Sequence, residues 1–228
     1  MLDILRDKFN PSIYKLIENE VKKYAKDSDV NLKVLDLGAG SAKYWESITR
    51  NIDCNLDLTL LDGSEVQNFI KIKPGCTIHH VKGMVPGELN SIGDDAFDIV
   101  IAIDLIEHLD KSDGYKLLYE MDRVSRRLSI IFTPNGFVWQ PPSINNPLNA
   151  HISGWRPNEL SSLGWTRNYG FGGLKFLVGP YGIPKSSNLA LKLLRRLSIF
   201  IVFNFPRFAF SFAAVKSVKN PRLLKQEL

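Results

Sequence analysis

Residues 32–46 constrain this chain more than any other stretch. Leu32-Lys33-Val34-Leu35-Asp36-Leu37 is apolar at most positions and reads as a buried strand. Gly38-Ala39-Gly40 follows, where small or absent side chains let the backbone turn tightly and let a ligand come close. Ala42, Lys43, Tyr44, Trp45 and Glu46 then read as the opening turns of a helix. A strand, a glycine turn and a helix start offer N–H groups and partial positive charge to a nucleotide-like ligand. The plain alternative is a tight strand-to-helix turn of any α/β domain.

The turn does not fit a dinucleotide site, which needs Gly-x-Gly-x-x-Gly with a third glycine for close helix packing. Lys43 occupies that third place and argues against a nicotinamide enzyme. A second apolar run, Leu56 to Leu61, ends in Asp62-Gly63-Ser64, with Asp62 lying 22 positions beyond Gly40. That distance suits an acid accepting hydrogen bonds from both hydroxyls of a ribose. A turn residue before glycine is the alternative. Thr77 to Met84 reads as a shorter third strand. His79 and His80 face opposite sides of it, as surface residues rather than a metal pair. Phe97 to Ile103 is a buried fourth strand, closed by Asp104 and followed by Glu107-His108-Leu109.

Asp36-x-Gly38-x-Gly40 resembles the first motif of class I S-adenosylmethionine (SAM)-dependent methyltransferases, with Ala42 where that family usually has a further glycine. FDIVIAIDLIEHL, residues 97–109, resembles the fourth strand of small-molecule and lipid methyltransferases, the quinone-biosynthesis type included. Thr133-Pro134-Asn135-Gly136 also resembles the family. The likeness covers roughly Val34 to Gly136 and continues more faintly to Trp165.

The resemblance implies a Rossmann-like class I α/β fold in one domain, residues 1–228. Its sheet would have seven strands, mostly parallel with an antiparallel last strand, and helices on both faces. It implies SAM as cofactor, held by Asp36, Gly38, Ala39, Gly40, Asp62, Gly63, Met84, Ile103 and Asp104. Asp36 is expected to order the turn and the amino acid end of SAM, and Asp104 to line the pocket mostly through its backbone. Met84 stands where such families often place an Asp for the adenine amino group. Backbone groups and an apolar face are expected to meet the adenine instead.

A hydroxyl acceptor must be held in line with the methyl group and must lose its proton. His108 and His151 titrate in the useful range and are the two candidate catalytic bases. His108 fits equally well as a capping or packing residue, and His151 as an anchor for its loop. The expected activity is methyl transfer to a small-molecule, lipid or glycan-precursor acceptor, at oxygen. A non-catalytic SAM-binding regulator or scaffold, and a protein side-chain methyltransferase, are the competing readings. Nucleic acid is not expected as a partner. The fourth strand lacks the Asn/Asp-Pro-Pro-Tyr/Phe signature of base-amino methylation, and no Pro-Cys pair supplies a thiol nucleophile.

The remaining chain completes the pattern. Residues 10–30 hold an N-terminal helix with Asn10 as cap, Pro11 at its first position and Ile13, Leu16, Ile17, Val21 and Tyr24 at helical spacing. Ser64 to Phe69 open another helix, Ser112 to Val124 a third, and Leu128 to Gly136 form the fifth strand. Residues 137–165 lose regular pattern and read as a substrate lid, with His151-Ile152-Ser153-Gly154-Trp155 and a short Asn158–Leu163 helix inside it. A sixth strand, Tyr169 to Val178, precedes a turn at Pro180–Ser187. Residues 185–207 read as a basic, apolar helical insertion before a last strand, Phe208 to Val218.

Net charge is +5, concentrated late in the chain, where eight cations from Lys192 to Lys225 face a single acid, Glu227. An anionic partner is expected there, such as a membrane surface touched peripherally. The apolar run from Leu197 to Pro206 is too short to span a bilayer but suits its surface. Cys54 and Cys76 are too few for a disulfide framework and lack metal-ligand spacing, so no metal is expected. Reduced thiols and a mixed-charge start, Met1 to Arg6, lead us to expect a cytoplasmic protein.

Overall fold

The computed structural model describes residues 12–25, 31–64, 70–144, 146–179 and 188–217. Asn10 and Pro11, the Lys26–Asp29 connection, most of the Ser64–Phe69 helix, the Pro180–Ser187 turn and the chain after Ser217 lie outside them. The elements run α1 (Ile13–Ala25), β1 (Leu32–Leu37), α2 (Tyr44–Arg50), β2 (Leu56–Asp62), β3 (Thr77–Lys82) and β4 (Phe97–Ile103). They continue with α3 (Lys111–Val124), β5 (Ser125–Pro134), α4 (Pro157–Ser162), β6 (Arg167–Leu174), α5 (Leu189–Asn204) and β7 (Ala209–Ser217). Seven strands form one sheet in the order β3-β2-β1-β4-β5-β7-β6. β1 to β4 pair in parallel, and β6 and β7 are antiparallel, as expected.

The described chain divides into two compact units. One comprises the described residues within 17–103 and 112–130, together with 216–217; the other comprises those within 12–16, 104–111 and 131–215. In the first, β1 lies between β2 and β4, with Val34 opposite Leu58 on one side and Ile99 on the other. Strands covered on both faces carry continuous apolar runs rather than alternation. Val34, Leu35, Leu37, Leu58, Leu60, Val100 and Ile101 are accordingly buried. β3 is an edge strand with an exposed pattern, and His79 there pairs with Asp57 at 2.9 Å. The chain steps from β1 through β2 to β3 on one side and returns with β4 on the other. That reversal puts the carboxyl ends of β1 and β4 where open α/β sheets hold ligands.

β5 begins at Ser125, earlier than the expected Leu128. Its first residues are held by Asp98, which is buried, accepts from Arg126 Nη1 at 3.3 Å and the Lys33 N–H at 3.0 Å, and forms an ion pair with Arg127 Nε at 3.3 Å. A buried carboxylate needs such partners, and they draw the polar start of β5 into the sheet.

In the second unit α5 packs on β6. Ser198 Oγ accepts from the Leu174 N–H at 3.0 Å, and Arg195 Nε donates to the Gly172 carbonyl at 3.3 Å. Phe171 stacks edge-on against Phe132 and Phe203 at 5.5 and 5.8 Å between ring centres. β6 ends at Leu174 rather than Val178, because Lys175–Leu177 tightens into a 3-10 turn. Asn135, from the TPNG run, is a clamp. Its amide Nδ2 donates to the carbonyls of Pro206, Arg207 and Ala209 at 3.1, 3.0 and 2.9 Å.

Candidate functional site

The glycine turn follows directly from β1. Gly38 and Gly40 hold φ of +65° and +53°, the left-handed region that glycine enters without steric cost. Ala42 holds φ of +48° although it carries a side chain. The position where the resembling motif has glycine thus keeps the glycine-like backbone here. The Gly38 N–H donates to the Leu61 carbonyl at 2.8 Å and the Ala42 N–H to the Ala39 carbonyl at 2.9 Å.

Asp62, at the end of β2, closes the turn. Its Oδ2 accepts from the Gly40 N–H at 2.9 Å. Its Oδ1 accepts from the Ser64 N–H at 2.8 Å and the Ser64 hydroxyl at 2.6 Å. The carboxylate therefore braces the turn: Ser64 takes both acceptor sites of Oδ1, and Oδ2 keeps one for a ligand. Gly63 is half-buried beside it, Ile103 ends β4 half-buried, and Met84 is exposed after β3.

Asp36 is buried, and its Oδ2 accepts from the Tyr44 hydroxyl at 2.5 Å and the Trp45 indole N–H at 2.8 Å. It ties the turn to α2 rather than facing outward. Burial raises its pKa to about 6, against the two hydrogen bonds, which lower it. A carboxyl whose folded pKa exceeds its unfolded value of about 3.9 binds protons more tightly when folded, so stability falls as pH rises through that window. Two units correspond to roughly 3 kcal/mol. Wild type is expected to be more stable at pH 5 than at pH 7 through this group. Asp36→Asn, which keeps an acceptor oxygen, should reduce that difference in urea denaturation curves taken at the two pH values, leaving the part due to the buried Glu107.

The second unit holds a carboxylate–histidine cluster. Asp104 takes φ of +46°, and its N–H donates to the Phe132 carbonyl at 2.9 Å. Glu107 is buried. Its Oε2 accepts from the Thr133 hydroxyl at 2.9 Å, and its Oε1 is buried with no hydrogen-bond partner among the described residues. Burial, and then the Asp104 charge, push the Glu107 carboxyl well above the usual carboxylate range. The His108 and His151 rings meet edge-on at 4.9 Å. His108 Nδ1 lies 2.9 Å from the Ala150 carbonyl and His151 Nδ1 2.7 Å from the Val138 carbonyl. A carbonyl only accepts, so each Nδ1 carries a proton, and the neutral tautomer of either ring has its lone pair on Nε2. Burial, and then the neighbouring His108, lower the His151 pKa and favour that neutral form.

The HxSGW run positions His151. The Ile152 and Ser153 N–H groups both donate to the Glu107 carbonyl, at 3.0 and 3.1 Å. The Ser153 hydroxyl and the Trp155 indole N–H both reach the Ile106 carbonyl at 3.2 Å. Trp155, Leu160 and Trp165 are fully buried, and Lys111 Nζ sits 3.5 Å above the Trp155 ring. This half of the stretch expected to be a lid is core of its unit. Phe137, Trp139 and Ile144 in its first half are exposed.

Of the nine expected cofactor residues, eight lie in the first unit, around the ends of β1 to β4; Asp104 begins the second unit. The two expected histidines come together. The sequence marks Glu107 and Thr133 only as members of the two family-like runs, without a role for either. The closeness of Glu107, His108 and His151 also qualifies the expectation of no metal: one ligand atom from each lies within 4.8 Å of the others, a set able to hold a cation.

No protein-family model matches the chain, and no curated protein matches it in sequence. Solved structures do. A SAM-dependent methyltransferase from Archaeoglobus fulgidus is 17% identical with a TM-score of 0.52, covering 95% of this chain and 99% of its own. A Galdieria sulphuraria protein provisionally assigned as a sarcosine dimethylglycine methyltransferase is 14% identical with a TM-score of 0.54, covering 90% and 85%. At such identity the likeness establishes the fold, which is the Rossmann-like class I methyltransferase fold.

Proposed function

We propose that this chain is a SAM-dependent methyltransferase that moves a methyl group to an oxygen of a small-molecule, lipid or glycan-precursor acceptor. One observation carries the reading: a left-handed glycine turn at the end of β1, closed by the Asp62 carboxylate on the Gly40 N–H at 2.9 Å. The turn leaves no bulky side chain against an approaching ligand, and Asp62 keeps acceptor capacity for ribose hydroxyls. These residues fit a nucleoside with a charged tail. Bound SAM would supply a methyl group on a positive sulfonium. Asp36 holds the turn in shape, and Met84 offers an apolar surface to adenine. His108 or His151 takes the acceptor proton at Nε2, the ring nitrogen left basic by the carbonyl at Nδ1.

Calorimetry with SAM, S-adenosylhomocysteine and NAD tests the cofactor. Micromolar binding of the first two and none of NAD is expected; tight NAD binding with no response to SAM overturns the reading. His108→Ala and His151→Ala are each expected to lower turnover by about a hundredfold, with SAM affinity kept. Full turnover in both would remove the histidines from catalysis.

The orphaned Glu107 Oε1 favours a second reading of the cluster, in which Glu107, His108 and His151 hold a divalent cation that orients the acceptor oxygen. Loss of turnover on chelation, restored by added Mg2+ or Mn2+, would favour it over the base reading.

A further inference from the structure

Helix α5 presents two unlike faces. Ser198, Ile199 and Val202 are buried, and Arg195 reaches back to the Gly172 carbonyl. On the opposite side Leu189, Leu193, Leu197, Ile201 and Phe205 recur every fourth residue, exposed by 81, 56, 56, 59 and 54%. Residues four apart stack on one helix face, so the first four form a continuous outward apolar stripe, which Phe205, the residue capping the helix, continues into the turn. Exposed Lys192 and Arg196 form the adjoining row. The Pro206–Phe208 turn extends the surface with exposed Arg207 and Phe208. Both residues also line a cavity of about 580 Å³, with Trp139, Phe176 and a second cation, Lys175, in its wall.

Charge names the partner. From residue 160 to residue 226 the sequence has eleven Lys or Arg and no Asp or Glu. A protein surface that avoids water only through self-association would balance its charges, because like charges facing each other oppose assembly. An apolar stripe edged by unopposed cations matches instead a layer with an oily interior and negative headgroups. No helix among the described residues is long and apolar enough to cross a membrane, so the contact would be parallel to the surface. A sixteen-residue helix is roughly 24 Å long, enough to lay four side chains along it.

We propose that α5 and the turn after it dock flat on an anionic lipid bilayer, inserting the Leu189–Phe205 stripe while Lys192, Arg196 and Arg207 meet the headgroups. None of the residues named for this surface is a proposed methyl-transfer residue, and its test does not depend on them.

The full chain is sedimented with vesicles of phosphatidylcholine alone, and with vesicles carrying about one third phosphatidylglycerol. The bound fraction should rise at least about tenfold on the anionic vesicles, each cation near the surface adding to the attraction, and fall again in 0.5 M salt. Two variants separate the contributions. Leu193→Ser/Leu197→Ser/Ile201→Ser should abolish binding to both vesicle types, and Lys192→Gln/Arg196→Gln should abolish only the preference for anionic lipid. Circular dichroism and SAM calorimetry on the same variants confirm that they fold. Equal sedimentation with and without anionic lipid overturns the proposal. So does a wild-type chain that ignores vesicles but forms a dimer lost in the triple variant, which would make the stripe a contact between two copies.

Discussion

Asp62→Ala is expected to weaken SAM binding about a hundredfold, the largest change that a single side chain of the glycine turn should produce. Two hydrogen bonds from ribose hydroxyls, one to the open site on Oδ2 and one in place of the Ser64 hydroxyl at Oδ1, contribute about 3 kcal/mol together, and each 1.4 kcal/mol is tenfold in affinity. The substitution also frees the Gly40 N–H, now held at 2.9 Å, so part of the loss comes from a turn that no longer waits in its binding shape. Asp62→Asn separates the two parts. Its amide oxygen can still accept from Gly40, while the charge and one acceptor oxygen are gone. It should sit between wild type and Asp62→Ala in affinity and close to wild type in urea denaturation. Calorimetry with S-adenosylhomocysteine, which lacks the sulfonium charge, should show the same ranking, because the ribose is common to both ligands. Unchanged affinity in Asp62→Ala would leave Asp62 as a brace alone and withdraw the strongest support for the cofactor reading.

The parts of this molecule that were legible in the sequence are those governed by local rules. β1 and β4 occupy the residues expected of them, because strands covered on both faces need unbroken apolar runs, and Leu32–Leu37 and Phe97–Ile103 supply them. The glycine turn was legible because few residues tolerate its backbone. Ala42, the departure from the resembling motif, proved to share that backbone rather than relieve it. Partnerships across long separations were not legible. Asp98 lies 28 residues before Arg126 and fixes where β5 begins. Glu107 lies 26 residues before its Thr133 partner. Nothing in the local pattern of either carboxylate announces what it will touch. The stretch read as a lid carries two buried tryptophans that were not legible for a related reason. Trp155 and Trp165 lack periodic neighbours, so pattern alone could not tell a buried tryptophan from one exposed over a cleft. Trp155 is held by its indole N–H on the Ile106 carbonyl, 49 residues away, and Trp165 by its backbone N–H on the Leu160 carbonyl.

Gly154→Ala is expected to cost about 3 kcal/mol or more and to dismantle the histidine pair. A Cβ added at Gly154 would stand 2.3 Å from the Phe137 nitrogen, 2.6 Å from its Cα and 2.8 Å from the Gly136 carbonyl carbon. These are backbone atoms, so no rotamer change relieves the clash, and one of the two segments must move. Neither is free to do so cheaply. The Gly136 N–H donates to the Trp155 carbonyl, and Ile152 and Ser153 are bonded to the Glu107 carbonyl. Displacing residues 152–155 therefore pulls His151 from His108, whose rings now meet at 4.9 Å. The variant should show a lower urea midpoint, altered imidazole resonances for both histidines, and a fall in turnover at least as large as that of His151→Ala. SAM affinity should hold to within a few fold while the chain remains folded. Gly93→Ala is the matched control, since a Cβ there meets nothing within 4 Å, and it should leave all of these readings unchanged. A Gly154→Ala chain as stable as the control would mean that the two segments approach less closely than described. A destabilised one with wild-type turnover would mean that the pairing of His108 and His151 is architecture and not chemistry.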